Sequence, residues 1–303
     1  MPSVVAAISE GRHVGRGEAA GVYYLGDDQD RMVADLERVA EAIEGGASRA
    51  ELQHLLPPCG ARNAVDCALW ELESRSVGQP VWSLADIPRP RPLLTTFTLP
   101  ADEPATLAQK VKSFEFAKAI KLKLDGNFDE DRERVAVVRA ARPDVWLSVD
   151  ANQGFSRNDL EDLARLARDF SISLIEQPLP RGEEADLDGW RPGVPIAADE
   201  SILHLGELHE RAAMFDVINI KLDKCGGLTE ALAMARLSQA MGKQVMVGNM
   251  GGSTLAMAPG FVVGQLCAFV DLDGPMWLAD DPFAGQIFSA GEIFVPETIW
   301  GLS

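Results

Sequence analysis

The chain has 303 residues, enough to bury a substantial core in one large domain or two. Its 47% apolar and 24% charged residues are ordinary for a globular protein and exclude global disorder. A formal charge of −18 argues against a nucleic-acid surface, which needs a Lys/Arg excess, and fits a solvated acidic exterior.

Residues 1–26 read as strand and turn. Val4–Ile8 is apolar, Gly11 breaks it and Val14–Glu18 follows, a hairpin pattern. Tyr23 and Tyr24 sit in the loop just after it. Asp28–Gly45 carries Met32, Leu36, Val39, Ala40 and Ile43 on one stripe and is expected to be helical. Asn63–Ser76 is a second amphipathic helix, ended by Gly78 and Pro80. Pro88, Pro90 and Pro92 form a stiff connector. The expectation is a small α+β domain over 1–90, a barrel over 91–274 and a C-terminal segment, 275–303, that returns to the first domain.

Leu93–Leu99 reads as the first barrel strand, with Thr96 and Thr98 on one face, and a helix from about Glu103 to Ala117 follows. The chain then repeats short apolar runs with polar ends: AIKLKL (119–124), WLSVDAN (146–152), LIEQP (174–178), IAADES (196–201), VINIKL (217–222), VMVGN (245–249) and AFVDLDG (268–274). Their polar residues lie 22 to 28 positions apart, the length of a strand, a crossover helix and two loops. Helices are expected near 129–141, 156–170, 204–213, 227–241 and 253–266, with at most a short one in 180–195. This is a (β/α)7β variant of the TIM-type barrel, an α/β fold with its site on one rim. Beyond Gly274 the rhythm stops. Gln286–Ser289 and Glu292–Val295 read as two short strands packing on the first domain.

Four cysteines, at 59, 67, 225 and 267, form no close metal-ligand pair, so reduced, packing thiols in a cytoplasmic protein are expected. No apolar run reaches the ~20 residues needed to span a bilayer, and no signal-peptide pattern opens the sequence.

The chemistry lies in the strand ends. Asp150, Glu176 and Asp199 end three successive strands. Three converging carboxylates repel strongly and need a cation, and all-oxygen ligands suit Mg²⁺. Lys121 and Lys123 are two apart, so both face the barrel mouth, while Lys221 ends a strand four positions further round. Burial, a neighbouring lysine and the cation are each expected to lower lysine basicity from ~10.4 toward neutrality. Lys224 reads as a solvated surface lysine. Two lysines facing a metal-bound carboxylate imply removal and return of the proton α to that carboxylate, with the cation and Lys121 stabilising the enediolate. The outcome is racemisation or epimerisation. The four histidines, at 13, 54, 204 and 209, avoid the strand ends, so a His base is not expected.

KLK at 121–123, DAN at 150–152, EQP at 176–178, DES at 199–201 and NIKLDKCGG at 219–227 together resemble the enolase superfamily, in its muconate-lactonizing subgroup. ALWELE in the small domain is similar to that family's capping domain. The resemblance implies one Mg²⁺ per subunit held by Asp150, Glu176 and Asp199, and an acid/base pair of Lys123 and Lys221; a Lys base with an Mg²⁺-stabilised enediolate is known chemistry of this superfamily. DLDGP, with Asp271 and Asp273, is similar to the Asp-x-Asp motif of dipeptide epimerases, where both carboxylates hold the substrate's α-ammonium. VGNMGGST (247–254) resembles the seventh-strand loop and places Asn249 and Met250 near the pocket, with Thr98 on the first strand. The family's capping domain usually begins earlier, with a strand and a lid loop that the numbered chain lacks. That leaves Tyr23 and Tyr24 as candidates for side-chain contact. The implied function is epimerisation of a dipeptide at its C-terminal residue, an Ala-Glu-type dipeptide being the default substrate, with a homo-oligomer left open. Alternatives are o-succinylbenzoate synthesis, N-succinylamino acid racemisation or muconate cycloisomerisation, and, from another class, a non-catalytic binding protein on this fold.

Overall fold

A computed structural model describes residues 2–283 and 287–301. The chain opens with a hairpin, β1 (Val4–Glu10) and β2 (His13–Ala19), paired antiparallel from Val4↔Ala19 to Glu10↔His13. Helix α1 (Gln29–Glu44) starts at Asp28, whose side chain accepts from Arg31 N. A short helix not expected from the sequence, α2 (Arg49–Leu55), opens with a capping box between Ser48 and Glu51. Helix α3 (Gly60–Val77) lies against the hairpin and is buried along most of its length. Val81–Leu84 adds one turn, α4.

The stretch expected as one strand from Leu93 to Leu99 is two. β3 (Leu93–Leu94) leaves the barrel; β4 (Thr96–Leu99) begins it. The break falls at Thr95, whose hydroxyl accepts from Leu272 N at 3.0 Å instead of extending a ladder. Parallel strands β5 (Ala119–Lys123), β6 (Trp146–Asp150), β7 (Leu174–Glu176), β8 (Ile196–Ala198), β9 (Val217–Lys221), β10 (Gln244–Gly248) and β11 (Phe269–Val270) follow β4 in strict spatial order. The connecting helices are α5 (Pro104–Ser113), α6 (Phe128–Ala141), α7 (Leu160–Asp169), a broken segment around α8 (Leu208–Arg211), the turn α9 (Leu222–Cys225), α10 (Leu228–Ala240) and α11 (Thr254–Gly264). After β7 the link holds only a 3₁₀ turn, Glu184–Leu187. None of the helices among the described residues is long and apolar enough to cross a membrane.

Inward-facing residues change character along the barrel axis. At the floor, Leu174, Ala197, Val217 and Met246 form an apolar plug with Trp146 and Phe269, whose rings stack at 5.5 Å. Two residues further along each strand the inward positions are Lys121, Ser148, Glu176, Asn219 and Asp271. The plug excludes water from below, so the polar layer above it is accessible only from the rim.

The C-terminal strands depart from expectation. β12 (Phe288–Ser289) and β13 (Glu292–Ile293) pair with each other and with β3, not with the first domain's hairpin. Leu93 and Leu94 offer a free strand edge there, which the hairpin, already packed on α3, does not. Gln286, where the first of these strands is expected to begin, lies outside the described residues. Contact with the first domain comes from the last turn instead. Trp300 is fully buried and donates to Arg16 O at 2.8 Å, and Val81 N donates to Gly301 O at 2.6 Å.

Candidate active site

Register builds the site. The parallel ladders set Lys123 opposite Asp150 and Asp150 opposite Glu176, and Gly248 opposite Lys221. Asp199 follows β8 by one residue. The nearest oxygens of Asp150, Glu176 and Asp199 lie within 4.8 Å of one another, and all three residues are buried. Asp150 Oδ2 has no hydrogen-bond partner. A buried carboxylate oxygen without a hydrogen bond, facing two further carboxylates, is what a hard divalent cation satisfies, so the donor set fits Mg²⁺. Burial, then the Asp150 charge, pushes the Glu176 carboxyl up to about 8.

Four lysines touch the triad, three of them at the cavity. Lys121 is buried and ion-pairs with Asp271; its Nζ lies 3.5 Å from Glu176 and 3.7 Å from Asp150. Lys123 is more open, its Nζ 3.7 Å from Asp150 Oδ2 and 3.4 Å from Asn152 Oδ1. Lys221 Nζ sits 2.6 Å from Asp199 Oδ2. A Cβ at Gly248 would meet Asn219 Oδ1 at 2.8 Å and Lys221 Cε at 3.0 Å, so the glycine makes room for that lysine. Without the cation the site does not produce the expected fall in lysine basicity. Burial alone lowers Lys121 and Lys221, but the carboxylates outweigh it and raise both above the ordinary lysine range: Asp271, Glu176 and Asp150 for Lys121, chiefly Asp199 for Lys221. A cation on the triad opposes those same carboxylates.

Lys224 corrects a second expectation. It is buried, not solvated, and donates to Asp199 Oδ1 and Asp199 O, both at 2.6 Å, and to Asn219 O at 3.1 Å. Because α9 begins directly after β9, one helical turn carries Lys224 back under Asp199.

Asp271 and Asp273 are both buried. Asp271 accepts from Thr96 Oγ1 at 2.7 Å as well as from Lys121. Burial raises its carboxyl, but Lys121 overcomes this and holds it below the usual range. Asp273 accepts from Thr98 N at 2.7 Å and Trp277 Nε1 at 3.3 Å; burial and the Asp271 charge raise it. Asn249 donates to Asp271 O at 2.7 Å and accepts from Gly251 N at 2.8 Å, joining the last two strand-end loops.

Above these groups lies a cavity of about 280 Å³. Tyr23, Tyr24, Thr98, Lys121, Lys123, Asp199, Lys221, Asn249, Met250, Asp271 and Asp273 all line it, with Asp150 and Glu176 beneath. Tyr23 and Tyr24 form a 3₁₀ turn with Leu25, their rings edge-to-face at 5.3 Å over the mouth. Among the lining side chains that sequence reasoning missed are Asn152, Glu200, Trp277 and Leu278. Asn152 and Glu200 stood inside recognised motifs, DAN and DES, but had no role there. Trp277 lies past the last strand, where no periodicity pointed to it. Burial and the Asp199 charge push Glu200 up to about 7, and its Oε2 is unpartnered. None of the four histidines lines the cavity. Burial raises the Cys225 thiol, away from reactive thiolate.

Residues 104–297 match the Enolase C-terminal domain-like family. The L-Ala-D/L-Glu epimerase of Escherichia coli K12 is 36% identical over 96% of this chain and 90% of its own length. An N-acetyl-D-glutamate racemase from a Pseudoalteromonas species is 34% identical over 83% of this chain and 79% of its own. A solved dipeptide epimerase from Methylococcus capsulatus, complexed with Mg ion, superposes with a TM-score of 0.89 at 27% identity, covering 99% of this chain and 93% of its own.

Proposed function

Starting from the premise that the chain belongs to the enolase superfamily, we propose that it is a Mg²⁺-dependent dipeptide epimerase, inverting the α-carbon of the C-terminal residue. Residues 91–274 supply the chemistry and residues 1–90 cap it. The observation that carries the reading is the buried rim: three carboxylates, one with an oxygen that no hydrogen bond satisfies, between Lys123 and Lys221.

Asp150, Glu176 and Asp199 would hold the cation, which would supply a fixed positive charge for the substrate carboxylate. Lys123 and Lys221 approach the α-carbon from opposite walls of the mouth. One takes the α-proton and the other, as an ammonium, returns a proton to the opposite face. Lys121, held protonated by Asp271, Glu176 and Asp150, faces the charge that develops as the proton leaves. The plug below and the tyrosine turn above limit water. Asp273, raised by burial and by its neighbour and lacking a cation of its own, takes the substrate's α-ammonium, with Asp271 already paired to Lys121.

A second reading, racemisation of an N-acyl amino acid, is favoured by the N-acetyl-D-glutamate racemase among the relatives. It uses the same lysines but has no ammonium for Asp273. Asp273→Asn separates the two: it weakens use of dipeptides and leaves N-acetylglutamate unaffected.

The test is a panel of dipeptides incubated with protein and Mg²⁺ in D₂O, read by mass and chirality. Epimerised dipeptide carrying one deuterium at the C-terminal α-carbon is expected. Absence of deuterium from every dipeptide would sink the proposal.

A further inference from the structure

The chemistry above uses the rim and leaves buried carboxylates at the seam between cap and barrel unused, among them Asp223 and Glu18. Asp223 lies two residues beyond Lys221, on α9. Its Oδ1 accepts from the backbone N–H of both Ala20 and Gly21, each at 3.0 Å. Glu18, on β2, reaches the other way: it accepts from Ser253 N at 3.1 Å and from the Ser253 hydroxyl. Both acids are buried. Within residues 18–21, the barrel therefore grips the cap's backbone while the cap's side chain grips a barrel loop.

The gripped segments are the two that overhang the cavity. Ala20 and Gly21 lead directly into the turn of Tyr23 and Tyr24. Ser253 closes the loop that begins at Asn249, whose Met250, Gly251 and Gly252 line the same cavity. The turn has little slack. Gly21 has φ +72°, and a Cβ there would lie 2.2 Å from Asp27 O, while Asp27 Oδ2 accepts from Gly60 N at 2.7 Å and ties the turn to α3. Two adjacent N–H groups aimed at one carboxylate oxygen make a strong, directional anchor.

We propose that Asp223 and Glu18 form a reciprocal latch that positions the Tyr23–Tyr24 turn and the 249–253 loop over the cavity. The latch acts on substrate capture, through backbone placement, and not on the proton transfers. Its kinetic consequences rest on the epimerase reading; its structural consequences do not.

The experiment therefore has two arms on the intact protein. Amide hydrogen exchange of Asp223→Ala, read by mass spectrometry, is expected to rise about tenfold in residues 18–28 with the rest of the chain unchanged. Asp223→Asn, whose amide oxygen can still accept both N–H groups, is expected to keep the protection. Unchanged exchange in the alanine variant, a chain-wide rise, or equal exchange in both variants each overturns the latch. In the kinetic arm, Asp223→Ala is expected to raise KM for a turned-over dipeptide about tenfold, with kcat within about threefold. It should also add little to the KM effect of Tyr24→Ala. A fall in kcat at constant KM, or full additivity with Tyr24→Ala, overturns it. Should Asp223→Ala not fold, Glu18→Ala carries the exchange test at residues 249–254, with protection retained there counting against the latch. Wild-type protein that turns over no dipeptide removes the epimerase reading while the exchange arm still decides the latch.

Discussion

Both the cap–barrel seam and the barrel rim bury carboxylates, and they satisfy them in opposite ways. At the seam each acid has partners of its own. Just behind it, inside the cap, Glu71 is fully buried and takes Arg16 through its guanidinium and backbone N–H, and Arg75 as well. Asp66 accepts from Thr229 N at 2.9 Å and Gln53 Nε2 at 3.2 Å. At the rim the acids face one another, share lysines at long range, and leave Asp150 Oδ2 and Glu200 Oε2 without a hydrogen bond. A folded chain keeps such unsatisfied groups where a cation and a substrate complete them. The seam's polar burial holds the molecule together; the rim's burial is tension that ligands relieve.

Arg16→Met probes the satisfied carboxylates on the cap side and should have the largest effect. It leaves Glu71 with Arg75 alone as countercharge, so a loss of about 3 kcal/mol in unfolding free energy is expected, less than a full buried pair because Arg16 is partly exposed. Urea unfolding checks it, and a loss below about 1 kcal/mol means the buried cap acid is not held as described.

Asp150→Asn probes the rim and should act in the opposite direction. Removing one of three crowded carboxylates is expected to stabilise the metal-free protein by about 1–2 kcal/mol while abolishing the Mg²⁺-dependent rise in Tm. Destabilisation of the metal-free protein by this change erases the distinction between the two regions.

The smallest effect separates satisfaction from charge at the seam. Burial pushes Asp66 up to about 6 and Asp223 up to about 7. The folded state then keeps protons that the unfolded chain has released, so these groups make stability fall as pH rises from about 4 through 7, by at most about 1.4 kcal/mol per pH unit for each. Asp66→Asn should remove its share, so the variant gains on wild type between pH 5 and pH 7. Parallel stability curves for the two proteins contradict this.

Much of the rim was legible in the sequence for a simple reason. A lysine or acid at the end of an apolar strand is costly to bury, and the period of two says which way it faces, so Lys121, Glu176, Lys221 and Asp271 stand out singly. What stayed hidden depends on pairings between distant segments. Nothing local in Leu93–Leu99 announces that its first two residues will pair with Glu292 and Ile293, or that Thr95 will bond Leu272. Lys224 was misread because its orientation follows from a single helical turn after β9. The short helix Arg49–Leu55 was overlooked although Ser48 and Glu51 carry a capping-box signature. The seam's reciprocal contacts, from Glu18 to Ser253 and from Asp223 to Gly21, join residues more than two hundred positions apart.

The central claim is that Lys123 and Lys221 work on opposite faces of one α-carbon. The most direct measurement is α-proton exchange in D₂O for each epimer of a turned-over dipeptide, with Lys123→Ala and Lys221→Ala in the presence of Mg²⁺. Each variant should lose epimerisation by about 10²–10⁴-fold while retaining exchange of one epimer only, and the retained epimer should differ between the two variants. Loss of exchange from both epimers in both variants, or retention of the same epimer by each, would contradict the account.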